Sequence, residues 1–86
     1  MTEIEEKVVK VIDEVLQSEY GRRLDTRKEN WRETEFYTDL GLDSLKIVEI
    51  VMECENVFNI AIDDERMLTM REIKDLLDII NEKLNN

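Results

Sequence analysis

This sequence is organised around one segment, Asp39-Leu40-Gly41-Leu42-Asp43-Ser44-Leu45. Its glycine suits a turn, because glycine reaches positive φ without steric cost. Asp43 and Ser44 are residue types that commonly cap the N-terminus of a helix. Mostly apolar residues follow Ser44, so the segment predicts a turn that delivers one serine to the start of a helix.

The helix after this turn is predicted over residues 44–58 and carries two apolar rows. One row, spaced by four, three and four residues, is expected to face a core, as helical periodicity requires: Ile47, Val51, Cys54 and Phe58. A second row adjoins Ser44: Leu45, Val48 and Met52. This second row is either buried by another helix or exposed for a partner.

The N-terminal part predicts a helix over about residues 3–17, where apolar residues recur at helical spacing. Thr2 and Glu5 fit a reciprocal capping box at its start. The connection over residues 18–43 is longer than a compact domain usually leaves without structure, so it should be anchored. Four irregularly spaced apolar residues are the predicted anchors: Leu24, Trp31, Phe36 and Leu40.

The C-terminal part predicts a last helix over about residues 69–84, with Thr69 and Glu72 as a second capping box. Residues 63–67 leave room for one helical turn. No alternation typical of strands is visible, so the fold class is all-α. We expect a small four-helix bundle, with three long helices and one short turn, in a single domain over residues 1–86.

Charge and composition restrict the partners and the location. The net charge is −10, which repels nucleic acid phosphates and anionic membranes, so basic or neutral partners are expected. Neither a secretion signal nor an apolar run of membrane-spanning length is present, and a cytoplasmic, monomeric protein is predicted. A basic cluster beside Trp31 could suggest RNA binding, but interspersed glutamates favour a solvated loop.

Few routes to catalysis remain open to this chain. It has no histidine, which excludes a serine-histidine pair and histidine metal sites. Lys46 is two residues from Ser44 on a helix and points in a different direction. Cys54 is the only cysteine and fits a small core residue, so neither a disulfide nor a metal site is expected. Ser44 is therefore either a simple helix cap or a residue that other proteins modify.

Residues 36–58 resemble the acyl carrier protein family, which includes peptidyl carrier relatives. The matching positions are Phe36, the segment 39–45, the run from Val48 to Met52, and Phe58. The resemblance implies that Ser44 carries 4'-phosphopantetheine, which a phosphopantetheinyl transferase moves from coenzyme A. The chain would then be a carrier of acyl thioesters and no enzyme. Asp43 would help the transferase to recognise the serine.

The resemblance also implies a docking face on the second helix. It would meet basic patches on acyl-transferring, synthase or adenylating enzymes of fatty acid, polyketide or related biosynthesis. Its expected members are Leu45, Lys46, Val48, Glu49, Met52, Glu53 and Glu55.

Two positions depart from the family pattern. Lys46 stands where many acyl carriers have an acidic residue, and Asn56 also replaces an acidic one. These changes suggest a specialised carrier and leave open a peptidyl or aminoacyl carrier. A different alternative is an acidic helical adaptor without a prosthetic group.

Overall fold

The computed structural model describes residues 1–85 and contains helices packed around one core. The helices are α1 (Glu3–Tyr20), α2 (Ser44–Phe58), α3 (Asp64–Leu68) and α4 (Ile73–Leu84), and a short 3-10 turn spans Trp31–Glu33. Within residues 1–85, β-pairing is limited to an isolated bridge between Glu35 and Glu72. The prediction of an all-α fold with three long helices and one short one is confirmed. None of the described helices is both long and apolar enough to cross a membrane.

Helix α1 begins as predicted. The Glu5 amide donates a hydrogen bond to the Thr2 hydroxyl at 3.1 Å, and the Thr2 amide donates to the Glu5 carboxylate at 2.9 Å. The helix extends to Tyr20, three residues beyond the predicted end. It stops at Gly21, whose φ of 65° is the left-handed conformation that ends many helices.

Helix α4 begins later than predicted, at Ile73. Thr69 was expected to cap it, but Thr69 follows α3 instead, where its hydroxyl donates to the Arg66 carbonyl at 2.7 Å. The capping box is formed by Glu72 and Asp75, and the Glu72 amide donates to the Asp75 carboxylate at 2.9 Å. The predicted capping box of Thr69 with Glu72 is therefore wrong, although both residues lie near a helix end.

Helices α1, α2 and α4 enclose the core between them. The buried side chains of α2 are Ile47, Ile50, Val51 and Cys54, and Phe58 packs partly buried against them. The predicted inward row is thus confirmed, with Ile50 added to it. In the second row, Leu45 and Met52 stay outside the core, at 63% and 58% exposed, whereas Val48 is half-buried.

The long α1–α2 connection is held against the helices by its apolar residues. All four predicted anchors are buried: Leu24, Trp31, Phe36 and Leu40. Polar contacts reinforce them, since the Leu24 amide donates to the Asp13 carboxylate at 2.8 Å and Arg32 pairs with Glu5. The connection therefore positions the turn that precedes Ser44.

Candidate functional site

The turn before α2 is closed by main-chain hydrogen bonds. The Gly41 amide donates to the Tyr37 carbonyl at 3.0 Å, and the Leu42 amide donates to the Phe36 carbonyl at 3.0 Å. Gly41 has a φ of 68°, a conformation that is costly for a residue with a Cβ atom. The turn therefore needs glycine at this position, as the sequence predicts.

Asp43, and not Ser44, caps α2. The Lys46 amide donates to the Asp43 carboxylate at 2.9 Å, so Asp43 is the N-cap and Ser44 is the first helical residue. Because Asp43 already provides the cap, the Ser44 side chain is free of that role. Ser44 is exposed, and its hydroxyl forms no hydrogen bond with any described residue.

The surroundings of Ser44 suit modification more than catalysis. The carboxylate of Asp43 is engaged by an amide two residues beyond the serine, and Lys46 is held elsewhere. A nucleophilic serine needs a neighbouring base that takes its proton, and no described side chain is placed for this. The Ser44 hydroxyl instead lies exposed at the first position of α2, where other proteins can reach it.

The end of α1 is joined to the turn that bears the serine. The Tyr20 hydroxyl donates to the Gly41 carbonyl at 3.1 Å, and the Arg22 guanidinium donates to the Leu40 carbonyl. Both acceptors lie within four residues of Ser44. These contacts fix the turn against α1 and so define where the serine lies.

Lys46 is engaged within the protein. Its ammonium contacts the Glu19 carboxylate on α1 and the Glu49 carboxylate on α2, the latter at 3.4 Å. The hydrogen bond to Glu19, helped by the charge of Glu49, raises the pKa of Lys46 above its usual value. Lys46 therefore ties the start of α2 to the end of α1, in addition to any part in docking.

The expected docking residues of α2 do not share one environment. Leu45 and Met52 project into solvent, and Val48 beside them is half-buried. Glu49 and Glu53 are exposed on the side that borders α1. An apolar patch with an acidic edge toward α1 therefore follows directly after Ser44.

Glu55 and Cys54 both take part in holding the fold together. The Glu55 carboxylate accepts a hydrogen bond from the Ile62 amide at 2.8 Å, which secures the segment after α2. Cys54 is fully buried, and burial raises the pKa of its thiol to about 12. The predicted role of Cys54 as a small core residue is confirmed, whereas Glu55 is only partly available to a partner.

Sequence reasoning did not predict three residues that position the site: Glu19, Tyr20 and Arg22. Each acts on a residue 18 to 27 positions later, so no local spacing reveals the contact. The cluster of arginines in the connection was a weak signal. It did not indicate that one arginine would bind a main-chain carbonyl of the serine turn.

Comparison with known proteins finds similar sequences over nearly the whole chain, including the turn that bears Ser44. Residues 10–80 match the family model described as the phosphopantetheine attachment site. A protein from Porphyromonas gingivalis named acyl carrier protein is 34% identical, and the match covers 98% of this chain and 99% of that protein. An acyl carrier protein from Syntrophus aciditrophicus is 32% identical, with 90% and 88% covered.

One solved structure is similar to this chain in both fold and sequence. The crystal structure of an acyl carrier protein from Thermotoga maritima superposes with a TM-score of 0.74 at 32% identity. The match covers 98% of this chain and 93% of that one. The similarity therefore extends over the whole helical arrangement and is not limited to the serine turn.

Proposed function

This chain belongs to the acyl carrier protein family, and on that premise we propose that Ser44 is the residue that bears its 4'-phosphopantetheine. The terminal thiol of that group holds acyl intermediates as thioesters. The relatives are named acyl carrier proteins, which favours acyl cargo over the aminoacyl and prosthetic-group-free alternatives. In this role the chain is the substrate of several enzymes and performs no catalysis itself.

The assignment of Ser44 rests on one observation: Asp43, and not Ser44, caps the N-terminus of α2. Asp43 caps α2, and Ser44 presents an exposed hydroxyl at the first helical position. The first amides of a helix have no partner within the helix, and the helix dipole is positive there. A phosphodiester on Ser44 would be stabilised at this end by about 0.3 to 1 kcal/mol.

The surface beside Ser44 supports recognition by partner enzymes. We propose that Asp43 helps a phosphopantetheinyl transferase to recognise the serine, and that Leu45 and Met52 provide a small apolar contact. The acidic side chains of α2 would meet basic patches on the transferase and on the biosynthetic enzymes. Exposed charge pairs add little affinity, but they accelerate encounter and orient the partners. Brief contacts of this kind suit a carrier that must dissociate from each enzyme. We propose that the protein acts in the cytoplasm.

The chain contains only two serines, Ser18 and Ser44, and this permits a matched test. We would incubate the protein with coenzyme A and a broad-specificity phosphopantetheinyl transferase and measure the intact mass. The wild type and Ser18→Ala should each gain one phosphopantetheine group, and Ser44→Ala should gain none. A gain that survives in Ser44→Ala, with circular dichroism showing an intact fold, would refute the assignment.

A further inference from the structure

The end of α1 holds the chain before Ser44 by hydrogen bonds to two consecutive carbonyls. The Tyr20 hydroxyl donates to the Gly41 carbonyl at 3.1 Å, and the Arg22 guanidinium donates to the Leu40 carbonyl. The guanidinium carbon of Arg22 also lies over the Tyr20 ring, 5.0 Å from the ring centroid, which is a favourable cation–π distance. The two side chains therefore support each other and hold the turn as one unit.

The same end of α1 also holds the chain after the serine, because the Glu19 carboxylate pairs with the Lys46 ammonium. Ser44 lies between these attachments, and its hydroxyl forms no hydrogen bond with any described residue. The main chain around the serine is thus held from α1, while the side-chain oxygen stays open. This arrangement orients the serine without engaging the atom that would react.

Orientation is important for the reaction proposed above. The Ser44 oxygen would bond to the phosphorus that bears the pantetheine, the bond from that phosphorus to the second phosphate of coenzyme A would break, and adenosine bisphosphate would leave. The serine proton must pass to a base outside this chain, because no described side chain is placed to accept it. Such a displacement is fast only when the attacking oxygen is aligned with the bond that breaks. A serine turn that moves relative to α2 would spend less time in that alignment.

We propose that Tyr20 and Arg22 are positioning residues for the loading of Ser44. They keep the turn in the conformation that presents the serine oxygen to coenzyme A on a docked transferase. The proposal rests on the attachment function proposed above and adds to it two side chains that lie outside α2. Their contribution is separate from docking, since it acts through the main chain of the turn.

Steady-state loading kinetics of Tyr20→Phe, Arg22→Ala and the double variant Y20F/R22A test the proposal, with the carrier concentration varied. Loss of one exposed hydrogen bond should lower the ratio of aligned to displaced turn about two- to fivefold. The kcat of Y20F/R22A should fall at least about threefold, with smaller losses in the single variants. KM for the carrier should stay within about twofold of the wild type, because the docking face of α2 is unchanged.

Arg23→Ala is the matched control, because it removes the same charge from the neighbouring position. Arg23 is exposed and forms no hydrogen bond or ion pair with any described residue, so this variant should keep the wild-type kcat and KM. Hydrogen exchange supplies a readout that does not need the transferase. The Gly41 and Leu42 amides close the turn, and they should exchange at least about threefold faster in Y20F/R22A than in Arg23→Ala.

Three results would overturn the proposal: equal kcat in Y20F/R22A and Arg23→Ala, a change confined to KM, or unchanged exchange of the turn amides. A change confined to KM would show that the side chains only contact the transferase. A loss of stability that leaves each variant folded, as checked by circular dichroism, does not change kcat and so cannot imitate the expected result. Loading that persists in Ser44→Ala would refute the attachment assignment instead, and the exchange comparison would still test the hold on the turn.

Discussion

The Tyr20 hydroxyl donates a hydrogen bond to the Gly41 carbonyl at 3.1 Å and thereby joins the last residue of α1 to the turn before Ser44. The two residues are far apart in sequence. Together with the contact of Arg22 with Leu40, this bond uses the end of one helix to hold the start of another. The position of the serine is consequently a tertiary property and does not depend on its local turn alone.

Removal of this bond should destabilise the protein slightly. Tyr20→Phe should lower the free energy of unfolding by about 0.5 to 1 kcal/mol, the low end for a hydrogen bond because Tyr20 is 46% exposed. Urea denaturation measures the change. Tyr37→Phe is the control, since the Tyr37 hydroxyl bonds no described residue and Tyr37 is similarly exposed at 52%. Equal losses in the two variants would show that the Tyr20 contact contributes nothing specific.

Asp43 can be tested for two roles with two substitutions. Asp43→Ala removes the N-cap of α2 and should cost about 0.5 to 2 kcal/mol of stability. Asp43→Asn preserves a capping oxygen and should retain most of that stability. If the carboxylate also aids transferase recognition, Asp43→Asn should be loaded more slowly than the wild type in a time course of intact mass. Wild-type loading by a stable Asp43→Asn would limit Asp43 to capping.

The ion pair between Glu5 and Arg32 predicts a dependence of stability on pH. The hydrogen bond from Arg32, supported by the Thr2 amide, lowers the pKa of Glu5 from 4.5 to about 2. A carboxyl group with a lowered folded-state pKa stabilises the protein above its unfolded pKa, and this contribution is lost as the pH falls from about 4.5 to 2.

The matched comparison uses Glu5→Gln in urea denaturation at pH 6 and at pH 2.5. The variant should be less stable than the wild type at pH 6, and the difference should shrink at pH 2.5. A difference of the same size at both pH values would contradict the coupling. It would indicate that the loss in Glu5→Gln does not depend on the ionisation of Glu5.

Cys54 should be inert in the folded protein. Burial raises the pKa of its thiol to about 12, so very little thiolate exists at pH 8. Alkylation by iodoacetamide at pH 8 should be roughly a thousandfold slower in the native protein than in urea, where the pKa returns to about 8.5. Similar rates in the two conditions would show that Cys54 is accessible and would contradict its burial on the inward face of α2.

Local patterns predicted the elements well, because helical periodicity and caps depend on neighbouring residues. The Thr2–Glu5 box, the bounds of α2 and the inward row with Cys54 all follow from spacings within a few residues. The same logic was wrong at Thr69, where two overlapping patterns compete. Thr69–Glu72 and Glu72–Asp75 both have the spacing of a capping box, and the second is used because Thr69 still belongs to the end of α3.

Contacts between segments that are distant in the sequence could not be predicted from local patterns. The sequence could not show that Lys46 pairs with Glu19, because a lysine in the first turn of α2 has several acidic neighbours to choose from. It also left open whether Leu45 and Met52 were buried. The structure exposes them because α1 and α4 already cover the opposite side of α2.

Fragmentation mass spectrometry of the loaded wild-type protein shows whether Ser44 bears the phosphopantetheine group. After proteolysis, the added phosphodiester should be found only on the peptide that contains Ser44, and its fragment ions should place it on that residue. The peptide that contains Ser18 should be unmodified. A phosphodiester on Ser18, or a loaded protein whose Ser44 peptide keeps its unmodified mass, would show that Ser44 is not the attachment residue.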